Sequence, residues 1–374
     1  MNKPNILYFN REISMNYCFR WLLSSVLVVF FTGCAKPAIR VGLMTKLEAG
    51  SIIGTSEIAS VKEFERVHPD SSIQVIPFDD GWDPVRTKQA YSEIQKENIR
   101  YLITSHTSTC AVEISSDINS DKRLTIITGA TTVLLSDKDD YILRIIPDLS
   151  YEQTLIAHKI ADLRPKHLLV ISDLSNPEYT VPAKDAFMAE LNRINPSTQI
   201  QSLDIDANRL HITSLTPVMT SQTFDVLYLL IGGYKNIAGN IAQYFYQFHP
   251  QSTIVFTPWM NNKELVNTAG PAISRSILPS LFPSRWENKE VEEYMTSIET
   301  NFYLSPTIIS LKVYQALELL EAAFQAGATT PEKTKQWLLS RKTIDTRIGS
   351  ITFNAFGDST DSYYFITNIP GEFK

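Results

Sequence analysis

Cysteine is scarce: the chain holds Cys18, Cys34 and Cys110 and no others. The first two fall in an N-terminal targeting segment and at its end, so one thiol remains beyond it. No disulfide can form within that remainder. Cys110 is expected as a buried small hydrophobe rather than a catalytic thiol. Histidine is also thin, six residues scattered along the chain. His106 with Cys110 is too little for a metal site, so no metal and no cofactor are expected. His106 is expected in a turn near a cleft, not as a ligand or base. There is no Gly-x-Ser-x-Gly elbow, phosphate loop, Gly-x-Gly-x-x-Gly or His-Glu-x-x-His, so an enzyme is not expected. No Lys/Arg block stands out, and a net charge of −6 argues against a nucleic-acid surface. No low-complexity linker appears. With 44% apolar and 20% charged residues, long disorder is excluded too.

What is present begins with a targeting segment. Arg20 precedes the apolar run 21–31, and Thr32-Gly33-Cys34 closes it. The run is short for a bilayer span and has the length of a signal-peptide core. Phe31-Thr32-Gly33-Cys34 resembles the bacterial lipobox, although Phe31 replaces the usual Leu. The expectation is a lipoprotein signal over 1–33, starting at Met1 or Met15. A lipid-modified Cys34 with a tether over 34–38 would follow. An uncleaved anchor is the alternative and gives nearly the same location: the cell envelope, on the periplasmic side, at the inner or outer membrane.

The organising stretch is 100–132. Tyr101-Leu102-Ile103 is a short apolar run without helical period and suits a buried parallel strand. Hydroxyl residues crowd 105–109, where a helix can start near Ser108. Residues 124–127 read as a second buried strand, leaving through Thr128-Gly129-Ala130-Thr131-Thr132. Two such exits side by side make a pocket at the carboxyl edge of a parallel sheet. Free N–H groups at a helix start, with hydroxyls, suit a carboxylate. The plainer alternative is that Ser108 caps its helix and the threonines fill turns.

The same β–α grammar runs through the chain. Strands are predicted over 39–43, 73–78, 167–171, 200–205, 226–231 and 253–256, with late strands over 349–353 and 363–368. Helices are predicted over 55–66, 84–97, 151–163, 182–193, 236–248, 287–300, 308–326 and 331–339. Asp79, Asp80 and Asp83 could hold a cation, but turn chemistry accounts for them. Trp82 and Trp259 each follow a strand on the ligand edge and suit a wall for an apolar or aromatic body.

Taken in order, several pieces resemble the type I periplasmic binding proteins, in particular the leucine/isoleucine/valine-binding branch. They are Ile39-Arg40-Val41-Gly42-Leu43, Asp79-Asp80 with Asp83-Pro84, the Ser108 turn, Gly129-Ala130-Thr131, Leu143-Arg144, Gly232-Gly233-Tyr234, and Gly349 to Phe353 with Gly357-Asp358. The resemblance covers about 39–368. It implies an α/β fold of two doubly wound parallel-sheet lobes joined by three crossovers. Lobe 1 is expected over 39–144 and 278–360, lobe 2 over 145–277 and 361–374. It implies that Ser108, Thr109, Gly129 and Thr131 seat a carboxylate and part of an amine, with Tyr234 and Tyr179 closing from lobe 2. Trp82 and Trp259 are added as aromatic walls. Two departures matter. Trp82 and Thr107 stand where the family's lobe-1 cysteines would be, and Trp259 follows Pro258 where the family carries an acid for the amine. Asp173 or Asp206 would be the substitutes.

The expected function is an envelope-anchored monomer that traps a small carboxylate, an amino acid or a relative, for an ABC-type importer whose permease is a separate chain. The same trap used as a sensor of an envelope partner is the alternative. An envelope enzyme is the rival from another class.

Overall fold

The computed structural model describes residues 38–232 and 236–373. The expected signal segment 1–33, Cys34 and most of the expected tether lie outside these residues, as do Gly233 and Tyr234.

The short apolar runs form two separate sheets. Strands β1 (Ile39–Thr45), β2 (Ile73–Asp79), β3 (Tyr101–Thr104), β4 (Leu124–Ile127) and β5 (Ile142–Arg144) make a five-stranded sheet ordered β2-β1-β3-β4-β5. β1, β3, β4 and β5 pair in parallel. Strands β6 (His167–Asp173), β7 (Gln199–Ile205), β8 (Val226–Leu230), β9 (Thr253–Val255) and β10 (Ser276–Ser280) form the second sheet. A late strand joins that sheet, and the order is then β13-β10-β9-β8-β6-β7. β11 (Thr343–Thr346) and β12 (Gly349–Thr352) pair as a separate hairpin, and β13 (Tyr364–Ile366) runs antiparallel to β10. The fold is α/β with parallel-sheet lobes.

Helices fill the connections. α1 (Ile52–Val67), α2 (Pro84–Lys96) and α3 (Ser108–Asp121) belong to the first sheet; α4 (Leu149–Asp162), α5 (Pro177–Ile194), α6 (Ile237–Phe248) and α7 (Lys263–Ala269) belong to the second. α8 (Lys289–Phe302), α9 (Ile308–Gln325) and α10 (Pro331–Arg341) follow β10 and return to the first lobe. α9 and α8 pack on α1, and α10 covers β4. The first core gathers Phe78, Tyr91, Ile94, Leu102, Ile114, Ile127 and Ile142. In the second, Leu168, Leu169, Val170 and Ile171 of β6 are wholly buried. Each such side chain contributes roughly 1.5–3 kcal/mol by leaving water.

Three local readings differ from the expectation. Position 278, expected as the start of the return to lobe 1, lies inside β10, whose pairing with β13 continues to Ser280. α5 starts at Pro177, not at Pro182. Two prolines compete there for the first turn, where a missing N–H is harmless. Pro182 sits one turn inside the helix, and the earlier start puts Tyr179 in the first turn. Finally, α3 starts at Ser108 as expected, but its cap is Thr107, whose Oγ1 accepts the Cys110 N–H, so the plainer alternative of Ser108 as the cap does not hold.

The passage between lobes after β5 is braced by Arg144. It is fully buried and donates from Nε to Asp358 at 2.7 Å, from Nη1 to the Thr132 carbonyl at 2.8 Å and from Nη2 to Ser136 Oγ at 2.6 Å. This ties the first crossover to the last one and to the exit of β4.

Candidate functional site

The carboxyl ends of both sheets face one small cavity. It is lined by Trp82, Ser105, His106, Thr107, Ser108, Gly129 and Thr131 from the first lobe, Asn176, Tyr179 and Trp259 from the second, and Ile309 of α9. Of the eight residues expected at a ligand site, six are brought together here: Trp82, Ser108, Gly129, Thr131, Tyr179 and Trp259. Thr109 stands beside the cavity and bonds across it, and Tyr234 is outside the described residues. Sequence reasoning passed over Asn176 and Ile309, placed Ser105 in a hydroxyl-rich exit at the pocket without singling it out, and read His106 as a turn residue near the cleft. The hydroxyl-rich exit 105–109 was the available signal for Ser105 and His106; nothing local marks Ile309.

The first wall is built by strand exits that pack backbone to backbone. A Cβ at Gly129 would sit 2.4 Å from the Ser105 carbonyl oxygen, so only glycine lets the β4 exit approach the β3 exit. Asp80, at the β2 exit and fully buried, holds two wall residues at once. Its Oδ1 accepts the Trp82 N–H at 3.1 Å and its Oδ2 lies 2.8 Å from His106 Nδ1. Trp82 takes a left-handed backbone with φ 56°. Such strain in a bulky residue persists only where the surroundings enforce it. Asp79 accepts from Leu47 and Gly81 N–H, and Asp83 caps α2, so these acids serve their turn. Thr131 Oγ1 and His106 Nε2 are buried without hydrogen-bond partners. Behind the wall, Ser105 Oγ lies 3.2 Å from Glu57 Oε2. Burial, with the Asp80 charge nearby, pushes the Glu57 carboxyl up to about 8. Cys110 is buried and its thiol is pushed up to about 11, an inert group.

The second wall is aromatic. Trp259, on a turn over Pro258–Met260, is 4% exposed and meets Tyr179 edge-on with ring centres 6.2 Å apart. The Tyr179 hydroxyl donates to Glu152 Oε1 at 2.5 Å, and Tyr363 reaches Glu152 Oε2 at 3.3 Å. Gln153 bonds Glu152 and also accepts from Tyr228. Burial pushes the Glu152 carboxyl up to about 7, while these hydrogen bonds pull it down. A Cβ at Gly232 would stand 2.9 Å from Asn176 and from Tyr179, so the β8 exit needs glycine to sit behind this wall. Asp173 accepts from Ser175 and Ala207, and Asp206 is half exposed beside Arg209; neither lines the cavity.

The walls touch. Asn176 Oδ1 accepts the Thr109 hydroxyl at 3.1 Å and the Thr109 N–H at 3.4 Å, so it takes a donor at the start of α3. The enclosed volume is about 10 Å³, room for one water at most. The walls must part before any organic ligand enters.

Two lobes thus present their strand exits to one cavity, beside a donor-rich turn before a helix. The sequence pattern of the periplasmic binding proteins matches residues 59–371. The chain belongs to the periplasmic binding protein family. It is 22% identical over 292 residues to the Leu/Ile/Val-binding protein BraC3 of Rhizobium johnstonii, covering 76% of this chain and 77% of that protein. In fold it resembles the leucine-binding protein LivK of Thermotoga maritima, with a TM-score of 0.79 at 15% identity over 89% of this chain and 96% of that one. It also resembles an ABC-transporter solute-binding protein of Rhodopseudomonas palustris solved with 3,4-dihydroxybenzoic acid, with a TM-score of 0.76 at 16% identity over 88% and 92% of the two chains. Among the described residues no helix is long and apolar enough to cross a membrane.

Proposed function

We propose that this protein is an extracytoplasmic, lipid-anchored solute-binding protein that traps a small carboxylate for an ABC-type importer. Its preferred ligands carry an apolar or aromatic body and no α-amine. One observation carries the reading. The cavity pairs a first wall of hydroxyl residues at the start of α3 and the β4 exit with a second wall of Tyr179 and Trp259, and no Asp or Glu is among its described lining residues. Ser108, Thr131 and the start of α3 suit the carboxylate. Trp259 and Trp82 suit a flat body. An ammonium enclosed here without an acid loses its hydration, at an effective cost of several kcal/mol. A Trp face returns about 2 kcal/mol by cation–π attraction, which offsets only part of it.

The relatives support both halves of this reading. Branched-chain amino-acid binding among them speaks for a carboxylate, and dihydroxybenzoate binding speaks for an aromatic body without an amine.

The test is mass spectrometry of small molecules retained by the purified protein. Aromatic or 2-oxo carboxylates are the expected finding; retained leucine, isoleucine or valine would overturn the preference. The anchor is tested separately. Wild type should take up labelled palmitate and partition into detergent, and Cys34→Ser should do neither. Equal behaviour of the two would remove the lipid anchor from the account.

A further inference from the structure

His106 carries a polar atom that the fold does not use. The residue is 1% exposed and lines the cavity, and its Nε2 is buried without a hydrogen-bond partner. Thr131 Oγ1, on the same wall, is in the same condition. The other ring nitrogen, Nδ1, lies 2.8 Å from Asp80 Oδ2. A carboxylate accepts and does not donate, so this bond keeps a proton on Nδ1. In the neutral ring Nε2 is then a bare acceptor, which repels an incoming carboxylate. With a second proton Nε2 becomes a donor, and the ring's positive charge faces Asp80 directly.

We propose that His106 reads the ligand's anionic head. It takes a proton from solvent onto Nε2 as the ligand enters, donates it in a hydrogen bond to a carboxylate oxygen beside Thr131 Oγ1, and returns it to solvent on release. This deepens the carboxylate reading above and rests on it. No bond is made or broken other than this N–H.

Among the described residues, no other cation lines the cavity. From the β2 exit, Asp80 pairs with the ring and Asp83 is spent on capping α2. From α1, Glu57 is held up at about 8 by burial. From α3, Cys110 stays a thiol to about 11. From the second lobe, the Tyr179 hydroxyl is committed to Glu152. Among the described residues lining the cavity, His106 is the side chain able to carry positive charge. The start of α3 adds its own attraction for an anion at that place.

The experiment is titration calorimetry of the full protein in detergent with benzoate and with 4-methyl-2-oxopentanoate, from about pH 5.5 to about pH 8.5, in buffers of different ionisation enthalpy. Binding should take up a proton, and affinity should fall by about tenfold per pH unit at the alkaline end. His106→Gln keeps a donor amide and cannot titrate, so its profile should be flat. PH-independent wild-type binding without proton uptake, or a slope that survives in His106→Gln, overturns the role of His106 and leaves the carboxylate reading standing. Affinity that rises with pH means that a neutral Nε2 accepts from a ligand donor, and also overturns it. Binding of leucine with no response to either carboxylate at any pH overturns both. The wild-type proton uptake decides the matter by itself should the variant not fold.

Discussion

The two walls of the cavity each rest on a buried acid, and the acids differ in their partners. Asp80, behind the first wall, meets an imidazole nitrogen and a backbone N–H. Glu152, behind the second, meets two phenols and an amide, with no cation beside it among the described residues. Burial therefore pushes Glu152 up to about 7. Similar carboxyls at similar depth thus do different work. One holds an imidazole ring and a strained Trp; the other braces an aromatic face. On the proposed reading, the first wall answers to charge and the second to shape.

The sharpest way to break this contrast is to replace each acid by its amide. Asp80→Asn leaves one of its two donors facing an NH₂ group, and should cost about 3 kcal/mol. Glu152→Gln keeps an acceptor for Tyr179 and removes a charge that burial penalises, so at pH 8 it should be neutral or stabilising by about 1–2 kcal/mol. Urea midpoints of both variants decide it, and equal losses would dissolve the distinction.

The next effect is on pH. The folded-state values of Glu152 and Glu57, about 7 and about 8, lie above the unfolded value of 4.5. Protons held by the folded state stabilise it fully below about pH 4.5, and that stability is lost as pH rises through about 7 and then about 8. Melting temperature should therefore fall between about pH 5 and pH 9. Glu152→Gln should remove its share of the fall up to about pH 7, and Glu57→Gln its share up to about pH 8, including all of the fall above about pH 7. A melting temperature that rises over this range contradicts the assignment.

A smaller, more local effect concerns the seat. Thr131→Val and Ser108→Ala should each weaken carboxylate binding by about tenfold, the worth of one charge-assisted hydrogen bond. Thr131→Val should also leave stability unchanged or raised, because the hydroxyl it deletes is buried and unpaired. Lost stability with unchanged affinity would make Thr131 structural. The smallest effect is expected at Asn176. Its bonds to Thr109 are neutral and long, so Asn176→Ala should shift opening by about fivefold at most. Small-angle scattering without ligand would then show a larger radius of gyration than wild type, and an identical radius counts against this contact as a latch.

Much of the fold was legible because the buried strands are short apolar runs ended by Gly, Pro, Ser or Thr. β3, β4 and α3 could be read within a residue or so. The first wall was partly legible for the same reason, as its polar residues cluster directly after those strands. The second wall was less so. Tyr179 depends on which of two prolines opens α5, and its partners Glu152 and Tyr363 come from distant segments with no local signature. His106 was placed near the cleft, but its bond to Asp80 joins two turns through tertiary packing. Tryptophan at 259 in place of an acid was readable as a departure, and its packing on Tyr179 was not.

The central claim is that the second wall answers to an apolar body and has no seat for an amine. Calorimetry of the purified protein against leucine, isoleucine, valine and phenylalanine, each paired with its 2-oxo analogue, tests it most directly. The account predicts that each 2-oxo acid binds more tightly than its amino acid, by about tenfold or more, since even a partly offset ammonium costs over 1.4 kcal/mol. Tight binding of leucine with no response to 4-methyl-2-oxopentanoate would contradict it.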